Sequence, residues 1–231
     1  MNILALETAT ESCSVALLRG DALFERSELA PRRHAELALP MAEAVLAEAG
    51  LARADVDGIA VGRGPGSFTG VRLAVSLAQG LALALELPVV TVSSLAALAM
   101  EAPQDDAPVT AVIDARMGEI YAASFERDAD GLLKPCGEEV VCPPDLWQPA
   151  LTLDACHVVG TGWGVYGEGL AARLGTPRST DADRYPQARH VARLAAPRFA
   201  AGDTLTPEQV LPVYLRDKVA LTIAERAAAK S

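Results

Sequence analysis

The chain has 231 residues and a formal net charge of −10, from 20 Lys and Arg against 30 Asp and Glu. This acidic balance argues against a protein that grips nucleic acid by itself, because phosphate binding relies on clustered Lys and Arg. Hydrophobic residues make up 51% of the chain and include 44 alanines, whereas aromatic residues make up only 4%. That apolar content excludes a disordered chain, and the length suits one large domain or two small ones.

The cysteine pattern and the N-terminus both indicate a cytoplasmic protein. The four cysteines form no CxxC pair, so we expect reduced thiols rather than a zinc or redox site. Residues 1–7 contain no basic segment and already reach a carboxylate, which does not fit a signal peptide. The longest apolar stretch, 73–90, is interrupted by polar residues and a proline, so we expect no membrane association.

Apolar runs bounded by turn signals predict three consecutive strands at the N-terminus, at residues 2–8, 12–18 and 22–28. Such a run of strands is typical of an antiparallel meander. Helices and strands then alternate, which indicates an α/β fold. The remaining elements predicted in this half are helices at 34–49, 71–87 and 93–100 and strands at 57–62 and 88–92.

A polar, Pro-flanked segment at 102–108 divides the chain, and after it the pattern begins again in a shortened form. Two related α/β domains that face each other across a cleft are therefore predicted: residues 1–102, a smaller domain at 103–216, and an alanine-rich tail at 217–231. The second half is predicted to contain strands at 109–113, 119–126, 133–141 and 157–160 and helices at 163–174 and 188–201.

The helix predicted at 71–87 is apolar on all sides, whereas a surface helix normally keeps a polar face. A leucine ridge runs beside a stripe of small residues that would let another backbone approach closely, and the preceding helix is similarly apolar. We predict an interface with another protein here; a core helix within a single chain is the alternative. The predicted interface residues are Leu37, Met41, Val45, Gly70, Leu73, Ala74, Leu77, Ala78, Leu81 and Ala82.

A glycine-rich loop at 62–70 precedes this helix, and such loops often bind phosphate through backbone N–H groups. It has no Walker A lysine, so a tight structural turn is an equal alternative. Carboxylates and hydroxyls at strand ends are placed as in two-lobed nucleotide binders, or they only cap the strands. The candidate cleft residues are Glu7, Thr8, Gly64, Gly66, Ser67 and Asp114. The three histidines have no metal-binding spacing, so no metal site is predicted.

A family resemblance is carried by residues 62–72, GRGPGSFTGVR, which are similar to the signature of the TsaB (YeaZ) family. The resemblance extends from residue 2 to about residue 219. Supporting segments are ALETAT at 5–10, CSVAL at 13–17, LPM at 39–41, IDARMGEIY at 113–121, VGTGW at 159–163 and PVYLR at 212–216.

This resemblance implies an actin/Hsp70/sugar-kinase-like (ASKHA) fold and a non-catalytic scaffold subunit. The complex it serves transfers threonylcarbamoyl from its adenylate to N6 of adenosine in tRNAs that read ANN codons. The implied partners are a TsaD-like catalytic paralogue, a TsaE-like small ATPase and, for the chain alone, a second copy. Contact with tRNA would be indirect, and ATP, ADP and metal would belong to the partner subunits rather than to this chain.

Two differences from the catalytic paralogue imply a dismantled active site. The metal-binding HxxxH motif of that paralogue would fall at Ser94 and Leu98, which are poor ligands or none. Its Gly-Gly-His phosphate turn would fall at 114–118, where Arg116 and Met117 are bulky. The alternative is an enzyme of the same fold, a nucleotide-dependent kinase or ATPase that uses the strand-end carboxylates and the glycine-rich loop.

Overall fold

The computed structural model describes residues 1–128 and 131–216, and the predicted tail lies outside the described residues. These residues form two five-stranded sheets with helices packed on them. The strands are β1 Asn2–Glu7, β2 Ser12–Arg19, β3 Ala22–Leu29, β4 Gly58–Gly62, β5 Val89–Val92, β6 Val109–Arg116, β7 Glu119–Arg127, β8 Leu133–Cys142, β9 His157–Val159 and β10 Ser179–Asp181. The α-helices are α1 His34–Glu48, α2 Phe68–Leu85, α3 Ser94–Ala99, α4 Thr161–Leu174 and α5 Ala188–Ala200.

The two sheets have the same connectivity. The first has the order β3-β2-β1-β4-β5, with an antiparallel meander from β1 to β3 and parallel pairing of β4 and β5 beside it. The second has the order β8-β7-β6-β9-β10, again a meander followed by two parallel strands. This repeat confirms the prediction of two α/β halves of related topology.

The last helix of each half packs against the sheet of the other half. Val191 and Phe199 of α5 join a buried cluster with strands of the first sheet. Leu95 and Leu98 of α3 join the cluster of the second sheet. The two halves therefore exchange helices. As a result, two apolar cores connect the halves, and the connection is more than a hinge.

This exchange corrects the predicted domain division. The first sheet ends at Val92 and the second begins at Val109, as the predicted division between residues 102 and 103 requires. However, the segment after α5 also returns to the first half, where Leu205 pairs with Val89. The prediction placed α5 and the segment after it in the second domain, but α5, Leu205 and Val210 pack with the first half. Only the end of this segment, at Leu215 and Arg216, contacts the second half.

The boundaries of α2 differ from the prediction at both ends. The helix begins at Phe68, three residues early, because the Ser67 hydroxyl accepts a hydrogen bond from the Gly70 N–H and caps it. It ends at Leu85, after which Glu86 adopts a left-handed conformation with φ of 55°. The edge strand β10 was not predicted, because three residues are too few to show an alternating pattern.

By length and composition alone, α2 is long and apolar enough to cross a membrane, with a mean hydropathy of 1.5 over 18 residues. The sequence-based expectation of no membrane association stays a prediction. A core helix of a soluble protein meets the same criteria. Here Ala74, Ala78 and Ala82 of α2 are buried in the core of the first half.

A buried carboxylate, Glu101, joins the exchanged helices at the end of α3. It accepts a hydrogen bond from Arg189 and lies 2.7 Å from His190 Nε2, both at the start of α5. Arg189 also pairs with Glu25 of β3 at 2.9 Å. Burial alone would raise the pKa of Glu101, but its bonds to His190 and Arg189 outweigh burial and lower it.

We predict that Glu101→Gln costs about 2 kcal/mol of folding free energy at pH 7, because it removes charge-assisted hydrogen bonds. A lowered folded-state pKa contributes stability above the unfolded value of 4.5, and that stability is lost as the pH falls through the folded value. Urea unfolding from pH 7 to pH 3 should therefore show a shallower acid-side loss in the variant. Parallel curves for wild type and variant would contradict this role.

Candidate functional site

The glycine-rich loop at 62–70 packs directly on the backbone at the end of β1. A Cβ at Gly66 would lie 2.3 Å from the carbonyl oxygen of Ala9. A Cβ at Gly70 would lie 2.0 Å from that of Thr8. Only glycine permits such approaches, so these glycines serve close packing within the chain, as the structural-turn alternative expects.

Glu7 is fully buried beneath this loop. One carboxylate oxygen accepts a hydrogen bond from the Ala9 N–H and the other from the Ser94 hydroxyl, each at 2.7 Å. The carboxylate also lies against Gly62, where a Cβ would be 2.0 Å from it. Burial raises the pKa of Glu7, and the bonds to Ser94 and Ala9 only partly offset this effect. The Glu7 side chain therefore has the contacts of a structural residue, which joins neighbouring segments inside the chain.

Two other predicted cleft residues are also internal. The Thr8 hydroxyl donates to the Gly70 carbonyl at 2.7 Å, joining β1 to the first turn of α2. The buried Gly64 has φ of +90°, and its carbonyl accepts a hydrogen bond from the Ser94 N–H at 2.9 Å. Thr8 and Gly64 therefore hold the loop in place and do not reach the space between the halves.

A cleft of about 220 Å³ remains between the two halves. Of the six predicted cleft residues, Gly66, Ser67 and Asp114 line it. Glu7, Thr8 and Gly64 do not. The other lining residues are Ala9, Thr10, Glu11, Pro31, Arg32, His34, Ile113, Ala115, Arg116 and Tyr121.

Arg116 bridges the two halves across this cleft. Its guanidinium contacts Asp114 of its own half at 2.9 Å and Glu11 of the other half at 2.5 Å. Asp114 and Glu11 together raise the pKa of the Arg116 guanidinium. Each half thus directs a carboxylate into the cleft, and Arg116 pairs with both of them. The sequence analysis did not identify Glu11 or the ion pairs that Arg116 makes across the cleft.

The positions of the paralogue's metal ligands are occupied by the packing of this chain. The Ser94 hydroxyl is bonded to Glu7, and Leu98 is buried in the core of the second half. Within residues 1–128 and 131–216, no three His, Cys, Asp or Glu side chains form a group that would hold an ion.

Most of the predicted partner interface faces inward. Leu37, Leu73, Leu77 and Leu81 are half-buried, and three of them, Leu37, Leu77 and Leu81, pack against the first core. The prediction is wrong for the other six residues, because they lie in or against that core: Met41, Val45, Gly70, Ala74, Ala78 and Ala82. For this side of α2 the core-helix alternative is correct.

The opposite side of α2 carries a second stripe of small residues, and this stripe is exposed. Ser76, Gly80 and Ala84 are spaced four apart, and Leu83 beside them is 65% exposed. We call this surface the exposed α2 face; it consists of Phe68, Arg72, Ser76, Gly80, Leu83 and Ala84. Arg72 and Ser76, one turn apart, were the sequence signal for the solvent side.

The C-terminal segment borders the exposed α2 face on one side. The Gln79 amide donates to the Val210 carbonyl at 2.9 Å. Nearer the start of the helix, the Arg72 guanidinium lies 3.6 Å from the centre of the Phe68 ring, and its Nε donates to the Tyr214 hydroxyl at 2.6 Å. Phe68 and Arg72 are therefore held in a defined arrangement at one end of the face.

The repeated α/β halves and the cleft between them define an ASKHA-type fold, which confirms the predicted fold class. The family model described as "TsaD: tRNA N6-adenosine threonylcarbamoyltransferase" matches residues 27–222. The chain belongs to the TsaB (YeaZ) family within this group, as the resemblance predicted. It is similar to the tRNA threonylcarbamoyladenosine biosynthesis protein TsaB of Escherichia coli, with 40% identity over 95% of this chain and 96% of that protein.

Other comparisons agree. The TsaB protein of Haemophilus influenzae is 38% identical over 95% of each chain. A crystal structure described as an uncharacterized protein with similarity to peptidase YEAZ from Pseudomonas aeruginosa has a TM-score of 0.87 and 44% identity. It covers 93% of this chain and 99% of that chain. A second structure, YeaZ from Pseudomonas aeruginosa, has a TM-score of 0.84.

We predict that Glu7→Gln folds with a thermal stability at pH 7.5 equal to or above that of the wild type. In the wild type, the pKa of Glu7 is raised. The ionised carboxylate therefore costs folding free energy once the pH exceeds the unfolded pKa of 4.5. A neutral amide avoids that cost. Its oxygen can accept from the Ala9 N–H, and its NH2 group can donate to the Ser94 hydroxyl.

The same variant should support tRNA modification in a reconstituted complex at the wild-type rate. Removal of a catalytic carboxylate would instead lower the rate by about 10²–10⁴-fold. Calorimetry and modification assays on one preparation separate a structural role of Glu7 from a catalytic role. A folded variant with a rate loss of that size would show that Glu7 takes part in chemistry.

Proposed function

We propose that this chain is the non-catalytic scaffold subunit of the complex that forms threonylcarbamoyladenosine in tRNA. The names of its relatives support this process, since both relatives are tRNA threonylcarbamoyladenosine biosynthesis proteins. The reaction consists of transfer of threonylcarbamoyl from its adenylate to N6 of a tRNA adenosine. In this proposal a TsaD-like paralogue performs that transfer.

The observation that carries the non-catalytic part is the packing of the glycine-rich loop on the end of β1. In a nucleotide-binding relative this loop would approach phosphate, but here Gly66 and Gly70 approach the carbonyls of Ala9 and Thr8. Glu11, Arg116 and Asp114 also pair with one another within the cleft and occupy part of it. We therefore assign the nucleotide and the metal to the partner subunits and no cofactor to this chain.

The exposed α2 face is the surface that we propose for the catalytic paralogue. Its centre has a low profile, because Ser76, Gly80 and Ala84 are small, and Leu83 provides an apolar contact at its side. Such a surface lets a partner helix approach closely and bury apolar area, as stable interfaces require. When no paralogue is present, we propose that a second copy occupies the same surface.

The remaining partners follow from this arrangement. A TsaE-like small ATPase joins the assembled complex, and tRNA is contacted mainly through the other subunits, which suits the net charge of −10. The complex works in the cytoplasm in this proposal. A reconstitution tests it: the chain alone should modify no tRNA, and mixing it with the paralogue and the ATPase should restore modification.

We predict that Gly80→Arg prevents binding of the paralogue without harming the fold. A Cβ at Gly80 meets nothing within 4 Å, and replacing a helical glycine favours the helix by up to about 1 kcal/mol. A bulky charged side chain at the centre of the exposed α2 face should cost about 2 kcal/mol of binding or more, roughly a 30-fold loss of affinity. Binding of the paralogue is measured by co-purification and by the mass of the complex in size-exclusion chromatography.

Gly169→Arg is the matched control, since Gly169 is an exposed glycine within α4 that also has open space around it. It adds the same bulk and charge on the second half and should leave binding unchanged. Equal binding by the two variants would rule out the exposed α2 face as the docking surface. Ala78→Glu is not a usable test, because Ala78 is fully buried in the core of its own chain.

A further inference from the structure

Two unpartnered polar groups lie on the side of the cleft that the first half forms. His34 lines the cleft, is only 9% exposed, and donates from Nε2 to the Thr10 carbonyl at 2.9 Å. Because Nε2 carries the proton, Nδ1 of the neutral ring is an acceptor, and within the described part of the chain it has no partner. Thr10 also lines the cleft, and its buried Oγ1 lacks a partner too. Buried polar groups normally have partners, so this side of the cleft has unused bonding capacity.

The cleft also contains an unpaired cation and an incompletely paired carboxylate. Arg32 lines the cleft, is exposed, and makes no ion pair with any of the residues that the structure describes. Glu11 and Asp114, by contrast, share the single guanidinium of Arg116. Arg116 bonds to Oε1 of Glu11, and the other oxygen, Oε2, makes no hydrogen bond within residues 1–128 and 131–216. The cleft can therefore accept one anionic group and one cationic group.

These charges lie close together in the first half. The segment that carries Arg32 is joined to the segment that carries Glu11, because the Ala30 N–H donates to the Glu11 carbonyl at 3.0 Å. His34 follows Arg32 by two residues and begins α1. An anion site, a cation site and a hydrogen-bond acceptor are thus grouped at one side of the cleft, so a single small ligand can reach all three.

The volume of the cleft limits the size of that ligand. Pockets for drug-sized molecules are about 300–1,000 Å³, whereas this cleft has about 220 Å³. Pro31, Ile113 and Ala115 add apolar lining for carbon atoms. The combination favours a small molecule with opposite charges on neighbouring atoms.

We propose that the cleft binds a small zwitterion, a free α-amino acid. Its carboxylate pairs with Arg32, and its ammonium group donates to His34 Nδ1 and to Glu11 Oε2. The ammonium group is the donor that His34 lacks, and the carboxylate is the anion that Arg32 lacks. The amino acid is bound and released unchanged. This inference goes beyond the proposed function and does not depend on it, because it concerns the cleft and not the docking surface.

Three matched small molecules test the proposal. Free glycine carries both charges and has no side chain that could clash. Glycolate has a hydroxyl in place of the ammonium group, and ethanolamine has a hydroxymethyl group in place of the carboxylate. Calorimetric titration of the full chain at pH 7.5 should give saturable binding of one glycine with a Kd of about 1 mM or lower. Glycolate and ethanolamine should each bind at least about 10-fold more weakly, because each loses one charge-assisted contact.

Arg32→Asn tests the assignment of the carboxylate. Arg32 has φ of 70°, a left-handed conformation that Asn tolerates, so the fold should be kept. The variant should raise the Kd for free glycine by about 10-fold or more. It should not change the binding of ethanolamine, which has no carboxylate. Arg33→Asn is the matched control, because it removes the same charge one residue away and Arg33 does not line the cleft. It should leave the Kd for glycine unchanged.

Three results would overturn the proposal. If glycine shows no saturable binding at about 10 mM, the cleft holds water and no amino acid. If glycolate binds as tightly as glycine, the site takes a simple anion and the ammonium contacts are wrong. If Arg33→Asn weakens glycine binding as much as Arg32→Asn does, the carboxylate is not held by Arg32. The proposed function is tested separately, because none of these titrations involves the paralogue.

Discussion

The structure depends on one close backbone contact, between the glycine-rich loop and the end of β1. Because Gly66 and Gly70 lie against the carbonyls of Ala9 and Thr8, no space for a phosphate remains between the loop and the strand. The same loop ends at Ser67, which caps the start of α2. In the proposed function, this close backbone contact takes the place of a contact between the loop and a phosphate.

The polar residues at the strand ends and in the cleft make structural contacts within the chain. Glu7 holds Ser94, and Arg116 holds the two halves together through Glu11 and Asp114. The exchange of α3 and α5 between the sheets adds two apolar cores to this connection. Such a rigid two-lobed body suits a subunit that presents a surface to a partner rather than one that opens and closes on a substrate.

The sequence was sufficient for the two related halves, most strand positions and the family, because these depend on local periodicity and on a contiguous motif. The spacing of small residues did not by itself choose between the two small-residue stripes of α2, and only the polar Arg72 and Ser76 indicated the solvent side. The stripe from Gly70 to Ala82 and the stripe from Ser76 to Ala84 both have a spacing of four, and helical period does not tell which one meets the sheet. The helix exchange and the bond between Glu7 and Ser94, 87 residues apart, are contacts without a local signal.

The central claim is that this chain acts through its surface while its cleft binds no nucleotide, and equilibrium binding of labelled ATP with magnesium to the purified chain tests it most directly. The account predicts no saturable binding at millimolar ATP, with identical results for wild type and Asp114→Ala. Saturable binding of one ATP per chain that Asp114→Ala abolishes would contradict it and would favour a nucleotide-dependent enzyme.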